Sequence, residues 1–238
     1  MNPSKNHKKT KPILVVLSGA GMSAESGIAT FRGLGGLWEG RKVEDVATPE
    51  AFRANPGLVL EFYNARRRNV LGSSPNQGHH ALKSLEQFFD VRIVTQNVDD
   101  LHERASSSNV LHLHGELMKS RSTSSDSIIY DIDGEELNLG DVCPGGHQLR
   151  PHIVWFGEAV PMMEEAIPII EKADKIIVVG TSMQVYPAAS LLDFAPEGVP
   201  IHLVDPHPPK VNIPNLEIIA KGAVEGLSEL LARFSLEV

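Results

Sequence analysis

Short apolar runs separated by stretches of helical spacing constrain this chain more than any other feature. Ile13–Leu17 is a continuous apolar run followed closely by glycine, the pattern of a strand buried on both faces. Further strands are expected at 91–95, 110–113, 176–179, 200–204 and 217–220. Helical patterns fall near 48–70, 78–89, 161–173, 187–195 and 223–234. Strand and helix alternate, so the expected fold is α/β, a parallel sheet with helices on both faces.

Residues 119–150 break the alternation. They are rich in Ser, Asp and Gly, with weak strand signals at 128–131 and 136–139. Asp133-Gly134 lies between those signals and predicts a hairpin turn. This segment reads as a small β-rich insert. Residues 31–75, with several Gly and Pro and a helical pattern, read as a second insert over the same edge of the sheet.

A chain of 238 residues holds one large domain, or one domain with a small insert. Its formal charge of −8 argues against nucleic acid as a partner. Lys5, Lys8, Lys9 and Lys11 form the one basic cluster, which reads as a solvated tail. The apolar run after it is shorter than the roughly 7–15 residues of a signal core. No stretch approaches the ~20 apolar residues that span a bilayer, so no membrane partner is expected. Cys143 is the only cysteine, which excludes an intrachain disulfide and suits a reducing, cytoplasmic setting.

The chemistry-bearing residues cluster where apolar runs stop. Val91–Val94 ends in Gln96, Asn97 and Asp99, and Val110–Leu113 ends in His114-Gly115. Amides, a carboxylate and an imidazole at strand ends are suited to work on a ribose. Gly180-Thr181-Ser182 follows another run, and Val204-Asp205 ends a fourth. Small hydroxyls there can meet ribose or phosphate oxygens, although Ser, Thr and Asp also cap helices.

Ser18-Gly19-Ala20-Gly21-Met22-Ser23-Ala24 links the first strand to a short helix. Glycine lets the backbone approach a pyrophosphate, and a helix N-terminus supplies N–H donors. A tight turn with no ligand is the competing reading. An ordinary dehydrogenase places an acidic residue roughly 20 positions on, at the end of a second strand. Glu44 and Asp45 stand at that distance, but no apolar strand precedes them. A glycine-rich stretch with Phe31 and Arg32 follows instead, with the look of a flap.

Six segments in register resemble the sirtuin family of NAD-dependent protein lysine deacylases. They are Gly19-Ala20-Gly21-Met22-Ser23 with Glu25-Ser26-Gly27-Ile28; Thr30-Phe31-Arg32; Thr95-Gln96-Asn97-Val98-Asp99; His112-Leu113-His114-Gly115; Leu149-Arg150-Pro151 with Val154-Trp155-Phe156-Gly157-Glu158; and Gly180-Thr181-Ser182 with Val185 and Pro187. Tyr63-Asn64-Ala65-Arg66 matches the Tyr-x-x-Arg of bacterial sirtuins that also remove acidic acyl groups.

The resemblance implies a Rossmann-like NAD-binding domain from 12–30, 76–118 and 151–238, a small insert domain from 31–75 and 119–150, and a flexible tail over 1–11. It implies that Gly19, Ala20, Gly21, Ser23 and Ile28 serve NAD, with Phe31, Arg32, Gln96, Asn97 and Asp99 around the nicotinamide and its ribose. Gly180, Thr181, Ser182, Asp205 and Ala223 would serve the rest of the dinucleotide. His114 would be the general base, with Asn97 and Asp99 beside it in catalysis. Val154 and Phe156 would line the acyl-lysine tunnel, and Tyr63 with Arg66 would grip an acyl carboxylate. On spacing alone, Arg66, Arg67 and Arg68 read as a solvated basic face.

The products implied are nicotinamide, free lysine and acyl-ADP-ribose, and the partners are acylated proteins. An ADP-ribosyltransferase or NAD glycohydrolase on the same scaffold, and a non-catalytic NAD sensor, are the competing functions. None of these motifs fixes an oligomeric state.

The insert departs from the family. Sirtuins usually hold zinc with two Cys-x-x-Cys pairs, and here the places read Ser122, Ser125, Cys143 and Gly146. One thiolate cannot build a tetrahedral Cys₄ site, so a metal-free insert is expected. It would then be held by apolar packing from Ile128, Ile129, Leu137 and Leu139.

Overall fold

The computed structural model describes residues 10–30, 37–38, 40–125, 128–181 and 188–237. In chain order the elements are β1 (Ile13–Ser18), α1 (Gly21–Ala24), β2 (Leu37–Trp38), β3 (Arg41–Lys42), α2 (Val43–Val46), α3 (Pro49–Ala54), α4 (Pro56–Gly72) and α5 (Gln77–Leu85). Then come β4 (Asp90–Thr95), α6 (Leu101–Arg104), β5 (Val110–His112), β6 (Gly115–Ser122), β7 (Ile129–Asp131) and β8 (Leu149–Ile153). The chain closes with α7 (Met163–Ile170), β9 (Lys175–Val179), a 3₁₀ segment (Ala188–Phe194), β10 (Ile201–Val204), β11 (Leu216–Ile219) and α8 (Ala223–Phe234).

The main sheet has six parallel strands in the order β11-β10-β9-β1-β4-β5. Each strand expected from an apolar run is present. Alternate side chains of β1 feed opposite faces, as a period of two requires. Leu14 and Val16 join the core under α5 and α8, while Val15 and Leu17 join the core under α7. Central β1 has β4 on one side and β9 on the other: the chain runs from β1 outward to β4 and β5, then crosses back to β9. The carboxyl ends of these strands therefore flank a topological switch point, where open α/β sheets bind ligands.

The helical expectation over 48–70 resolves into separate helices. Thr48 caps α3 through the Ala51 N–H at 3.0 Å, and Asn55 caps α4 through the Leu58 N–H at 3.1 Å. Pro56 suits the first turn of α4 and cannot continue α3. The expected helix over 187–195 is a 3₁₀ segment instead.

The insert differs from its expected form. β7 pairs antiparallel with β6, which also pairs with β8, so residues 136–139 form no strand and the expected hairpin is absent. That stretch docks on α4. The Asn64 amide accepts from Leu137 N–H at 2.9 Å and donates to its carbonyl at 3.1 Å, as a neighbouring strand would. Arg67, fully buried, donates to the carbonyls of Leu117 and Glu135 and to Asn64 Oδ1. Ile128, Ile129 and Leu139 are about half exposed, and only Leu137 of the expected apolar anchors is buried. Leu137 joins Leu117 and Ile153 in an apolar core with Leu60 and Phe62 of α4, so polar pairing adds to apolar packing there, while Ile128, Ile129 and Leu139 do not take the part expected of them.

Candidate functional site

Strand register sets the site. His112, Thr95, Ser18, Val179, Val204 and Ile219 stand side by side across the sheet. The residues just beyond this row are Gln96, Gly19, Gly180 and Asp205, with His114 two places past His112. Candidates from five separate regions of sequence thus meet along one edge.

Two turns pack backbone to backbone at its centre. Gly19 N–H donates to the Val179 carbonyl at 3.0 Å, and Gly21 N–H to the Gly180 carbonyl at 2.8 Å. A Cβ on Gly21 would stand 2.6 Å from Gly180 Cα, and one on Gly180 would stand 2.2 Å from Met22 N. Gly180 also has a φ of +62°. These glycines are required by close contact between the two turns, whatever else the loop meets.

Behind the turns lies a buried polar network. Asn97 Nδ2 donates to Ser23 Oγ at 3.2 Å, and Ser23 Oγ donates to Asp99 Oδ2 at 3.0 Å. Asp99 also accepts from Leu101 N–H at 3.2 Å. Burial pushes the Asp99 carboxyl up, while these bonds and the nearby His112 pull it back. Gln96 Nε2 donates to Thr181 Oγ1 at 3.1 Å, which ties the ends of β4 and β9 together.

His114 is partly exposed, and its Nδ1 lies 3.1 Å from the Gln96 carbonyl oxygen. A carbonyl only accepts, so Nδ1 carries the proton and Nε2 keeps a free lone pair. Burial lowers the pKa of His114, opposed by the Gln96 contact. His112 is different. Its Nδ1 faces the Asn97 carbonyl at 2.8 Å and its Nε2 faces Glu103 Oε1 at 2.9 Å. Two acceptors call for two donors, so these contacts favour the protonated ring. Burial opposes that charge, but Glu103 and the carbonyl hold the pKa above the usual histidine value.

The remaining candidates divide by position. Ala20 is partly exposed on the β1–α1 turn. Asp205 accepts from His207 N–H at 2.7 Å. Ala223 opens α8 in the main core, where Glu25 caps the helix through the Val224 N–H. Ile28 is buried in a second apolar core with Leu117, Ile153 and Trp155. Phe31, Arg32 and Ser182 lie outside the described residues.

Tyr63 and Arg66 are both buried on α4, 0 % and 6 % exposed. Arg67 is buried too, so the solvated basic face is reduced to Arg68, paired with Glu136. Val154 N–H donates to the His114 carbonyl at 2.9 Å, which sets the chain after β8 beside the imidazole. Phe156 is exposed, and Trp155 between them is buried. Trp155 Nε1 donates to the Tyr63 hydroxyl at 2.9 Å. Among the described residues no three His, Cys, Asp or Glu side chains come together to hold a metal.

Sequence reasoning passed over Ser18, Asn76, His79 and His102. Ser18 Oγ donates to Thr95 Oγ1 at 2.8 Å and meets His102 Nε2 at 3.0 Å. The His102 ring lies 4.9 Å from that of His79. His79 Nδ1 accepts from Asn76 N–H in a capping box, and Asn76 Nδ2 donates to the Met22 carbonyl. The Asn-x-x-His spacing ahead of a helical pattern was the available signal.

A parallel sheet with paired glycine turns and an amide, carboxylate and imidazole at its switch point defines a dinucleotide-binding α/β protein. The Sir2 family model matches residues 19–187, and the chain belongs to that family. An NAD-dependent protein deacylase of Bacteroides thetaiotaomicron is 52% identical, with 91% of this chain and 95% of that protein aligned. A mutant Sir2 homologue in complex with ADP-ribose superposes with a TM-score of 0.87 at 38% identity, covering 95% of this chain and 93% of that one. A Sir2 homologue in complex with NAD gives 0.86 at 39% identity, covering 95% and 91%.

Proposed function

We propose that this protein is an NAD-dependent protein lysine deacylase. The observation that carries the reading is His114, with Nδ1 committed to the Gln96 carbonyl and Nε2 available, at the sheet edge that also carries the Asn97–Ser23–Asp99 network. The relatives' names and the NAD and ADP-ribose complexes of similar structures support it. The donor set also fits the co-substrate: amides for a carboxamide, a carboxylate and an imidazole for ribose hydroxyls.

NAD supplies a ribose carbon activated by loss of nicotinamide. Gln96, Asn97 and Asp99 orient the nicotinamide ribose, and the Asp99 carboxylate offsets positive charge that develops there. Val154 and Phe156 line the acyl-lysine tunnel, which brings the amide oxygen to that carbon and lowers the entropic cost of the encounter. His114 Nε2 takes the proton of a ribose hydroxyl, and that hydroxyl then attacks the acyl carbon. The amide oxygen bonds to the ribose carbon as nicotinamide leaves; after the hydroxyl attack the amide C–N bond breaks and one water adds to the acyl carbon, so nicotinamide, free lysine and O-acyl-ADP-ribose result. Gly19, Ala20, Gly21, Thr181 and Asp205 serve the rest of the dinucleotide, and residues 31–75 and 119–150 form the small domain facing it.

Acetyl and acidic acyl groups are both substrates in this reading. Tyr63 and Arg66 meet the carboxylate of succinyl- or malonyl-lysine. Their shared burial on α4 and the bond from Tyr63 to Trp155, between Val154 and Phe156, support that role.

The test is to incubate the protein with NAD and acetyl- or succinyl-lysine peptides and weigh the products. O-acyl-ADP-ribose is expected. An ADP-ribosylated acceptor or free ADP-ribose alone would move the reading to transfer or glycohydrolysis, and no turnover would end it.

A further inference from the structure

Trp155 sits in the motif beside the acyl site, yet neither NAD binding nor proton transfer uses it. Its indole is 2 % exposed and is clamped from several sides. The Arg150 guanidinium carbon lies 3.4 Å from the ring centroid. Arg150 is held in turn by Glu158, at 2.6 and 3.0 Å, and by the Ile153 carbonyl at 3.0 Å. Glu158 also accepts from the Trp155 backbone N–H at 2.8 Å, and the Phe52 ring packs at 5.3 Å. The ring therefore has one available orientation, with Nε1 directed at the Tyr63 hydroxyl 2.9 Å away.

We propose that Trp155 is a positioning residue for acyl selectivity: its N–H occupies an acceptor site of the Tyr63 hydroxyl and so commits the phenol to donate toward an acidic acyl group. The proposal rests on the reading of Tyr63 and Arg66 as carboxylate ligands.

An indole N–H can only donate, whereas a phenol can donate one bond and accept two. Once Tyr63 accepts from Trp155, its own proton must point elsewhere. Among the described residues that proton meets no acceptor, although Tyr63 is fully buried. A buried donor without an acceptor is costly, and a carboxylate entering from the tunnel removes the cost. Burial pushes the Tyr63 pKa up, so the proton stays on the oxygen through the neutral range. Arg66, three residues on, lies close enough to act electrostatically on the same hydroxyl. Trp155 thus sets the direction of the neutral donor, and Arg66 supplies the charge.

The test compares succinyl- and acetyl-lysine peptides in Trp155→Phe, Tyr63→Phe and the double variant. Trp155→Phe keeps an aromatic ring and loses the donor. The succinyl-to-acetyl ratio of kcat/KM should fall roughly 3–10-fold, the worth of one neutral hydrogen bond, with the loss mainly in KM. In the Tyr63→Phe background the same change should shift the ratio less than about two-fold. Replacing Trp155 by 3-benzothienylalanine, which exchanges N–H for sulfur in the same shape, should reproduce the loss if Trp155→Phe folds poorly. Equal losses on both peptides, or full additivity in the double variant, would overturn the proposal. If Tyr63→Phe and Arg66→Met change the ratio and both Trp155 replacements leave it alone, only the role of Trp155 falls. If Tyr63→Phe and Arg66→Met also leave it alone, the acid-recognition reading falls and takes the proposal with it.

Discussion

His114 Nδ1 lies 3.1 Å from the Gln96 carbonyl, and this contact leaves Nε2 as the ring nitrogen able to take a proton. The peptide that holds the imidazole also carries Gln96, whose side chain ties β4 to β9. The His114 imidazole and the Gln96 amide are therefore positioned by one stretch of backbone.

His114→Ala should reduce turnover by ~10²–10⁴-fold, the usual contribution of a general base. NAD should still bind, as calorimetry would record. Burial lowers the His114 pKa below its usual 6.5, so the neutral ring persists as pH falls through 6.5. The acid limb of kcat/KM should thus have its midpoint below 6.5. A midpoint at or above that value, or near-normal turnover of a folded His114→Ala, removes the ring from the proton transfer.

Arg66→Met keeps the length of the side chain and loses the charge. A charge-assisted bond is worth about 1.5–3 kcal/mol. The loss in kcat/KM on succinyl peptides should be roughly 10–150-fold, with a much smaller loss on acetyl peptides. Tyr63→Phe should act in the same direction more weakly. Equal losses on the two substrates would assign both residues to the fold.

The insert should be sensitive to Asn64 and indifferent to its exposed apolar residues. Asn64→Ala strips partners from Leu137 and Arg67 and should cost about 1–3 kcal/mol in chemical denaturation. Ile129→Ser and Leu139→Ser should stay within ~0.5 kcal/mol. The reverse ranking would make Ile129 and Leu139 anchors in place of Asn64.

The insert should also hold without zinc. Cys143 Sγ donates to Ser122 Oγ at 3.4 Å, and the Ser122 hydroxyl also meets Ser124. Metal analysis of protein purified without chelator should find substoichiometric zinc, and chelation should leave activity unchanged. Zinc near one equivalent would reveal an unforeseen ligand set.

Acid should destabilise the protein through His79 and His102. Burial lowers the His79 pKa from 6.5 to about 4, and His102 shifts the same way. Below pH 6.5 the unfolded chain binds protons that these folded rings refuse, so stability falls as pH drops. The His79 share approaches about 3 kcal/mol and is complete only below about pH 4. Thermal melts of His79→Gln should show a shallower decline between pH 6.5 and 4.5 than the parent. An unchanged slope would show that other groups govern acid unfolding.

The sequence by itself determined the parallel sheet, the identity of its strands and the row of polar residues at their ends. Those properties are local: an apolar run reads as a buried strand, and the residue after it stands at the sheet edge whatever the neighbours do. The six motifs in family order pointed to the family, which the Sir2 match over residues 19–187 shows. Tertiary structure decided the states of those residues. The tautomer of His114 depends on a carbonyl from another strand, and the charge of His112 on Glu103 across the edge. Gly19 and Gly21 are required by Gly180, far along the chain. Asn64 and Arg67, beside the Tyr63 and Arg66 pair, look like surface residues in sequence, yet they anchor the insert because residues 135–137 fold back onto α4. Protonation, burial and hydrogen-bond direction depend on which groups meet, and those partners are distant in sequence.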